Sequence, residues 1–146
     1  MPPNQGQPDE LNLWLSGPEL CARLAEVRAR LGVWARHAGL TGDTVDDLVL
    51  AASEALTNVV DHAYGGAEGD AWVHAGRNAI GIVVTVRDGG RWRDPDPDPG
   101  LRGRGLTMID ALADCMCVER RDRGTVVTMQ WKAAPDDPPG HPGLGR

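Results

Sequence analysis

Between residues 43 and 64 the apolar side chains Val45, Leu48, Ala52, Leu56, Val59 and Ala63 recur at steps of three and four. That spacing predicts an amphipathic helix with one buried stripe. At about 100° per residue, Asp47, Glu54, Asn58 and Asp61 fall on the opposite face. Thr41-Gly42-Asp43 supplies the turn before this helix, with Asp43 or Thr44 as its cap, and Gly65-Gly66 breaks it. An earlier helix carries Leu20, Leu24, Val27, Leu31 and Trp34 on its apolar stripe. It opens at Ser16-Gly17-Pro18-Glu19, with Ser16 or Gly17 near the N-cap and Pro18 in the first turn. It runs to about His37 and ends at Gly39.

A period of two marks the strands. Leu11, Leu13 and Leu15 alternate with Asn12 and Trp14. Ala71 to Gly76 alternates less clearly, and Arg77-Asn78-Ala79 predicts a hairpin turn. Ile80, Ile82, Val84 and Val86 give the clearest strand, which runs into Asp88-Gly89-Gly90. Asp94-Pro95-Asp96-Pro97-Asp98-Pro99-Gly100 can neither continue a helix nor sit in a central strand, so residues 91–102 form a loop. Leu106, Met108, Ile109 and Leu112 predict a short helix. Met116 and Val118 belong to a strand, Arg121-Asp122-Arg123-Gly124 turns the chain, and Thr125 to Trp131 is the last strand. Hairpins imply antiparallel pairing. The fold class is an α+β two-layer sandwich, a mixed and mainly antiparallel sheet with helices on one face. Strands and helices do not alternate, which argues against a doubly wound parallel sheet. The polar, Pro-rich residues 1–9 form a tail, residues 10–132 one domain, and the Pro/Gly-rich residues 133–146 a second tail.

A chain of 146 residues suits that single domain. Its net charge of −6 and pI near 5.1 argue against direct nucleic-acid binding, which favours a basic patch. No apolar run is long enough to span a membrane. The N-terminus lacks the basic and apolar regions of a signal peptide, and three cysteines make no disulfide framework. The odd cysteine count fits a reducing cytoplasm. Cys115 and Cys117 would share one face of a strand, and are read as small buried apolar residues rather than as zinc ligands.

Chemistry collects at three places. Glu54 and Asn58 lie one helical turn apart, so a carboxylate neighbours an amide oxygen, the beginning of a magnesium and general-base site. Asp88 leaves the best strand where the backbone opens. Its carboxylate can accept hydrogen bonds from an amino group such as that of adenine, and Gly90 lets a flat ring approach the backbone. Gly103-Arg104-Gly105 precedes a helix, whose free N–H groups and the Arg104 fork suit an anion. Neither a Walker A loop nor a dinucleotide fingerprint is present.

Taken together, Glu54-x-x-x-Asn58-x-x-x-His62-Ala63-Tyr64, Asp88-x-Gly90, Gly103-Arg104-Gly105-Leu106 and Gly124-Thr125 resemble the boxes of the GHKL superfamily of ATPases and kinases. The His-Ala-Tyr ending and the Gly-Arg-Gly-Leu box look like its anti-sigma-factor serine/threonine kinase branch. The resemblance covers roughly residues 10 to 132. It implies Mg-ATP held between the central helix and a lid formed by residues 91–102. Asn58 would bind the magnesium, and Glu54 would orient or deprotonate the attacking hydroxyl. Asp88 would bind the adenine amino group and Gly90 would line the base. Gly103, Arg104, Gly105 and Leu106 form the phosphate box, and Thr125 would hydrogen-bond near the adenine. The implied partners are a sigma factor and an anti-sigma antagonist phosphorylated on Ser or Thr, with room for a homodimer. The sequence departs from the pattern at Trp92, where a second glycine is usual. His62 is read as structural. Two rival readings are a nucleotide-binding regulator without kinase activity and a free-standing histidine-kinase catalytic domain. The second lacks a preceding helix pair with a phosphoacceptor His.

Overall fold

The computed structural model describes residues 10–63, 69–90 and 104–132, of which 62, 63, 104 and 105 are described in backbone only. Five strands form one sheet: β1 (Glu10–Leu15), β2 (Ala71–Arg77), β3 (Gly81–Asp88), β4 (Cys115–Arg121) and β5 (Gly124–Lys132). Their order is β1-β2-β3-β5-β4, and every pairing is antiparallel. Three helices complete the described fold: α1 (Leu24–His37), α2 (Gly42–Asn58) and α3 (Arg104–Leu112). The element order and the one-sided helix layer agree with the hydrophobic pattern, and the sheet is antiparallel throughout rather than mixed.

Register explains the layering. Leu11, Ala75, Val84, Met129 and Met116 form one row across the sheet, and Leu13, Val73, Val86, Val127 and Val118 the next. These rows face the core, where they pack with Val27, Leu31, Val45, Leu48, Leu56, Val59 and Ile109. Alternation sends the intervening residues to the other face. There, Asn12, His74, Thr85, Thr128 and Cys117 make one row and Trp14, Trp72, Arg87, Val126 and Glu119 another. Cys115 and Cys117 therefore do not enter the core. They are exposed on the outer face of an edge strand, because Met116 and Val118 take the inward positions.

The helix ends are tied to neighbouring elements. Gly39, at φ 98°, closes α1, with its N–H donating to the Arg36 carbonyl and the Leu40 N–H donating to that of Ala35. The Arg77 guanidinium donates to the Ala38 carbonyl at 2.6 and 3.1 Å, placing a cation on the same helix end. The Trp131 indole N–H donates to the Leu112 carbonyl at 3.0 Å and fixes the end of α3 to β5.

Two helix starts differ from expectation. Residues 17–19 form a single 3-10 turn and α1 begins at Leu24, so Arg23 occupies the N-cap position in place of Ser16 or Gly17. The Leu20–Leu24 spacing holds, because Leu20 is buried from the turn. Thr41, rather than Asp43 or Thr44, is the N-cap of α2, and its hydroxyl lies 3.2 Å from that of Thr44. Beyond Asn58 the chain widens into a π-helical segment, Val59–Ala63. Tyr64 and Gly65-Gly66 lie outside the described residues. Among the described residues, no helix is long and apolar enough to cross a membrane.

Candidate functional site

One core-facing row of the sheet is unlike the apolar rows beside it. It reads Leu15, Ala71, Asp88, Thr125 and Arg120. The pleat that aims Val84 and Val86 at the helices therefore aims Asp88 there too. Asp88 is 3% exposed and Thr125 2%, and the two are direct register partners on β3 and β5. Sheet geometry thus holds a carboxylate and a hydroxyl side by side at the end of an apolar layer.

The Asp88 carboxylate is oriented locally. Its Oδ1 accepts a hydrogen bond from the Gly90 N–H at 3.0 Å, an Asx-type turn that bends the chain as it leaves β3. Opposite lies Gly124, at φ 148°, where any Cβ would run into the Asp88 carbonyl oxygen. Gly124 was read as a turn residue. Its second role, leaving room for the Asp88 backbone, has no signal in the sequence beyond its place before Thr125.

The other half of the site rides on α2, which packs against β3, β5 and α3. Glu54 is half-buried and Asn58, the last residue of α2, is buried at 9% exposure. The predicted polar face is therefore not uniformly solvated: Asp61 is exposed, while Asn58 is drawn in. A buried amide must find partners or a ligand, since an unpaired polar group at that depth is costly. The π-helical turn begins at the next residue, Val59. Such wide turns are frequent at functional positions, and the hydrophobic spacing did not foretell it.

Leu106, in the first turns of α3, is half-buried and packs against the core. Arg104 and Gly105 open α3, so this helix does begin within the Gly-Arg-Gly box. Gly103, His62 as a side chain, and the expected lid at 91–102 with Trp92 lie outside what is described. The donor set suits a hard cation delivered with phosphates. Asn58 offers one amide oxygen, and among the described residues no group of three His, Cys, Asp or Glu side chains could hold a metal by itself. Magnesium is commonly held in this way, by few protein ligands with the substrate's phosphates supplying the rest.

The chain is similar to known proteins over most of its length. A family model described as the histidine kinase-like ATPase domain matches residues 17–131. A protein named serine-protein kinase RsbW, from Halalkalibacterium halodurans, is 34% identical over 120 residues, covering 70% of this chain and 72% of that protein. The crystal structure of the RsbU and RsbW domains of a Mycobacterium tuberculosis protein superposes with a TM-score of 0.63 at 26% identity. That match covers 84% of this chain but only 32% of the mycobacterial one, so the chain spans about a third of its length.

Proposed function

Because the chain belongs to the histidine kinase-like ATPase domain family, we propose that it is an ATP-dependent serine/threonine protein kinase and anti-sigma factor. It binds Mg-ATP, phosphorylates an anti-sigma antagonist protein on Ser or Thr, and sequesters a sigma factor. One observation carries the reading. A buried Asp88, oriented by the Gly90 N–H and flanked by Thr125, ends the core layer of a chain 34% identical to a serine-protein kinase.

In this reading Asp88 accepts from the adenine amino group, with the Thr125 hydroxyl beside it and Gly90 lining the base. Gly103, Arg104, Gly105 and Leu106 begin the phosphate site, where the α3 N-terminus and the Arg104 fork offset phosphate charge. Asn58 is the residue that would hold magnesium, which when bound neutralises charge on the phosphates. Glu54 sits one turn before Asn58 and accepts the proton of the attacking Ser or Thr hydroxyl. That hydroxyl oxygen then bonds to the γ-phosphorus as the bond to the ADP oxygen breaks. Positioning and electrostatics supply most of such a rate, and general-base help adds typically about 10²–10⁴-fold. A cytoplasmic setting suits three cysteines that make no disulfide. A second copy of the chain is a further candidate partner, which light scattering would detect.

A phosphorylation time course tests the proposal, with wild type and Glu54→Gln side by side on candidate antagonists. The expected result is transfer by wild type, and a drop of at least about tenfold in the variant with ATP affinity largely kept. Binding of ATP without transfer by wild type to any cognate antagonist would leave a nucleotide-binding regulator instead.

A further inference from the structure

A phosphate site at the N-terminus of α3 depends on how that helix is aimed, and the structure shows what holds its other end. Leu112 is the last residue of α3, so its carbonyl is one of those that find no partner within the helix. The Trp131 indole N–H donates to it at 3.0 Å. Two more bonds follow. The Asp114 N–H donates to the Gln130 carbonyl at 2.9 Å, and the Lys132 N–H donates to the Asp114 carboxylate at 2.7 Å. The end of α3 and the residues just after it are thus tied to three consecutive residues of β5.

Between its ends α3 rests on apolar contacts. Ile109 is fully buried, and Leu106 packs against the core. Such contacts are non-directional and let a helix tilt, whereas hydrogen bonds fix direction. α3 has nine residues, a length of about 13 Å. A tilt of about 10° at the Leu112 end therefore moves the N-terminus by about 2 Å, enough to carry an N–H out of bonding distance of a phosphate oxygen.

We propose that Trp131 is a positioning residue for the phosphate end of the nucleotide site. Its indole holds the axis of α3 so that the N–H groups of Arg104, Gly105 and Leu106 meet the phosphates. The assignment rests on the ATP reading given above. A large apolar ring with a donor at its edge can do this from an inward position of β5. Trp131 is 2% exposed and lies in the core, beside its register partner Ile82, so packing holds the ring while the N–H reaches α3. Thr125 stands six residues away on the same strand, about 20 Å, so a change at Trp131 leaves the adenine end untouched.

Two variants test the role. Trp131→Phe keeps an aromatic ring and removes the donor. Asp114→Ala removes the acceptor of the Lys132 N–H at an exposed position, so it leaves no core cavity. Affinity for ATP is measured by calorimetry, and affinity for adenosine by NMR titration, which reaches millimolar values. Residual dipolar couplings of the N–H groups in residues 106–112 give the angle between α3 and the sheet. In Trp131→Phe, ATP affinity should fall about two- to tenfold, in keeping with an anion at a helix N-terminus, while adenosine affinity stays as in wild type. The couplings should show α3 turned by about 10°. Asp114→Ala should move both readouts the same way by less, and it decides the matter should Trp131→Phe fail to fold. Equal losses for ATP and adenosine would mean a loosened core and overturn the positioning role. So would an unturned α3, or unchanged ATP affinity, in variants of a wild type that binds ATP. A wild type that binds neither ATP nor adenosine refutes the nucleotide reading itself, and the positioning role falls with it.

Discussion

Asp88 and Gly124 face each other across two strands, and each limits what the other can be. Changing Asp88 to Asn keeps the shape and leaves an oxygen for the Gly90 N–H, so the fold should hold. It replaces a charged acceptor with an amide that also presents donors toward the adenine amino group. Losing a charge-assisted hydrogen bond costs roughly 1.5–3 kcal/mol, so ATP affinity should fall about ten- to a hundredfold. Equal affinities by calorimetry would remove adenine recognition from this residue. Gly124→Ala tests the other side of the pair. The added methyl would collide with the Asp88 carbonyl oxygen, and an alanine at φ 148° is strained in any case. The expected loss is at least about 1–3 kcal/mol of stability, read by urea denaturation. Unchanged stability would mean that the β3–β5 junction yields more readily than its geometry suggests.

At the scale of elements, helix starts are where the sequence was least legible. The stripes of α1 and α2 were plain, because Val27, Leu31, Val45, Leu48 and Leu56 all face one core. So was the sheet, because period two survives in β3 and β5; the end of β3 singled out Asp88, while Thr125 was singled out only by the resemblance to the family's boxes. Caps are local competitions between near-equal options, and Thr41 takes the position that Asp43 or Thr44 could have filled. Cys115 and Cys117 were misplaced because composition says a free cysteine is apolar, while register decides which face it takes. Gly42, the first residue of α2, has nothing within 4 Å of where its Cβ would stand and does not adopt positive φ. Gly42→Ala should therefore stabilise the fold by about 0.4–1 kcal/mol, chiefly by narrowing the unfolded ensemble, and a rise in melting temperature checks it. The start of α1 is held by charge. The Arg23 guanidinium bonds Glu26 at 3.0 and 3.1 Å, and that bond holds the Glu26 carboxyl below its usual 4.5. A depressed carboxylate contributes stability that is present above pH 4.5 and is lost as pH falls through its folded value. Hydrogen exchange in the first turn of α1 should be slower in wild type than in Glu26→Gln near neutrality, with the difference vanishing below that value. A difference that persisted at low pH would assign the effect to packing.

For the molecule as a whole, the proposed site joins parts that are far apart in sequence: the end of α2, the end of β3, the start of β5 and the start of α3. A ligand that touches all four binds only the folded chain, so its binding free energy adds to global stability. At a hundred times the dissociation constant, that linkage is worth about 2.7 kcal/mol. For a domain of this size it corresponds to a rise in melting temperature of about 5–20 °C. Asp88→Asn, with affinity down ten- to a hundredfold, should keep about half of that gain or less at the same ATP concentration. Chelating divalent cations should shrink the gain in wild type, because the phosphates would then meet Asn58 and the α3 N-terminus without their counter-charge. The same chelation should shrink it less in Asn58→Ala, where the amide oxygen is already gone. Thermal melts of the three chains, with and without ATP and chelator, separate these terms. Should ATP leave the wild-type melting temperature unmoved at saturating concentration, the four parts do not form one nucleotide site. Should chelation act equally on wild type and Asn58→Ala, the cation is held elsewhere.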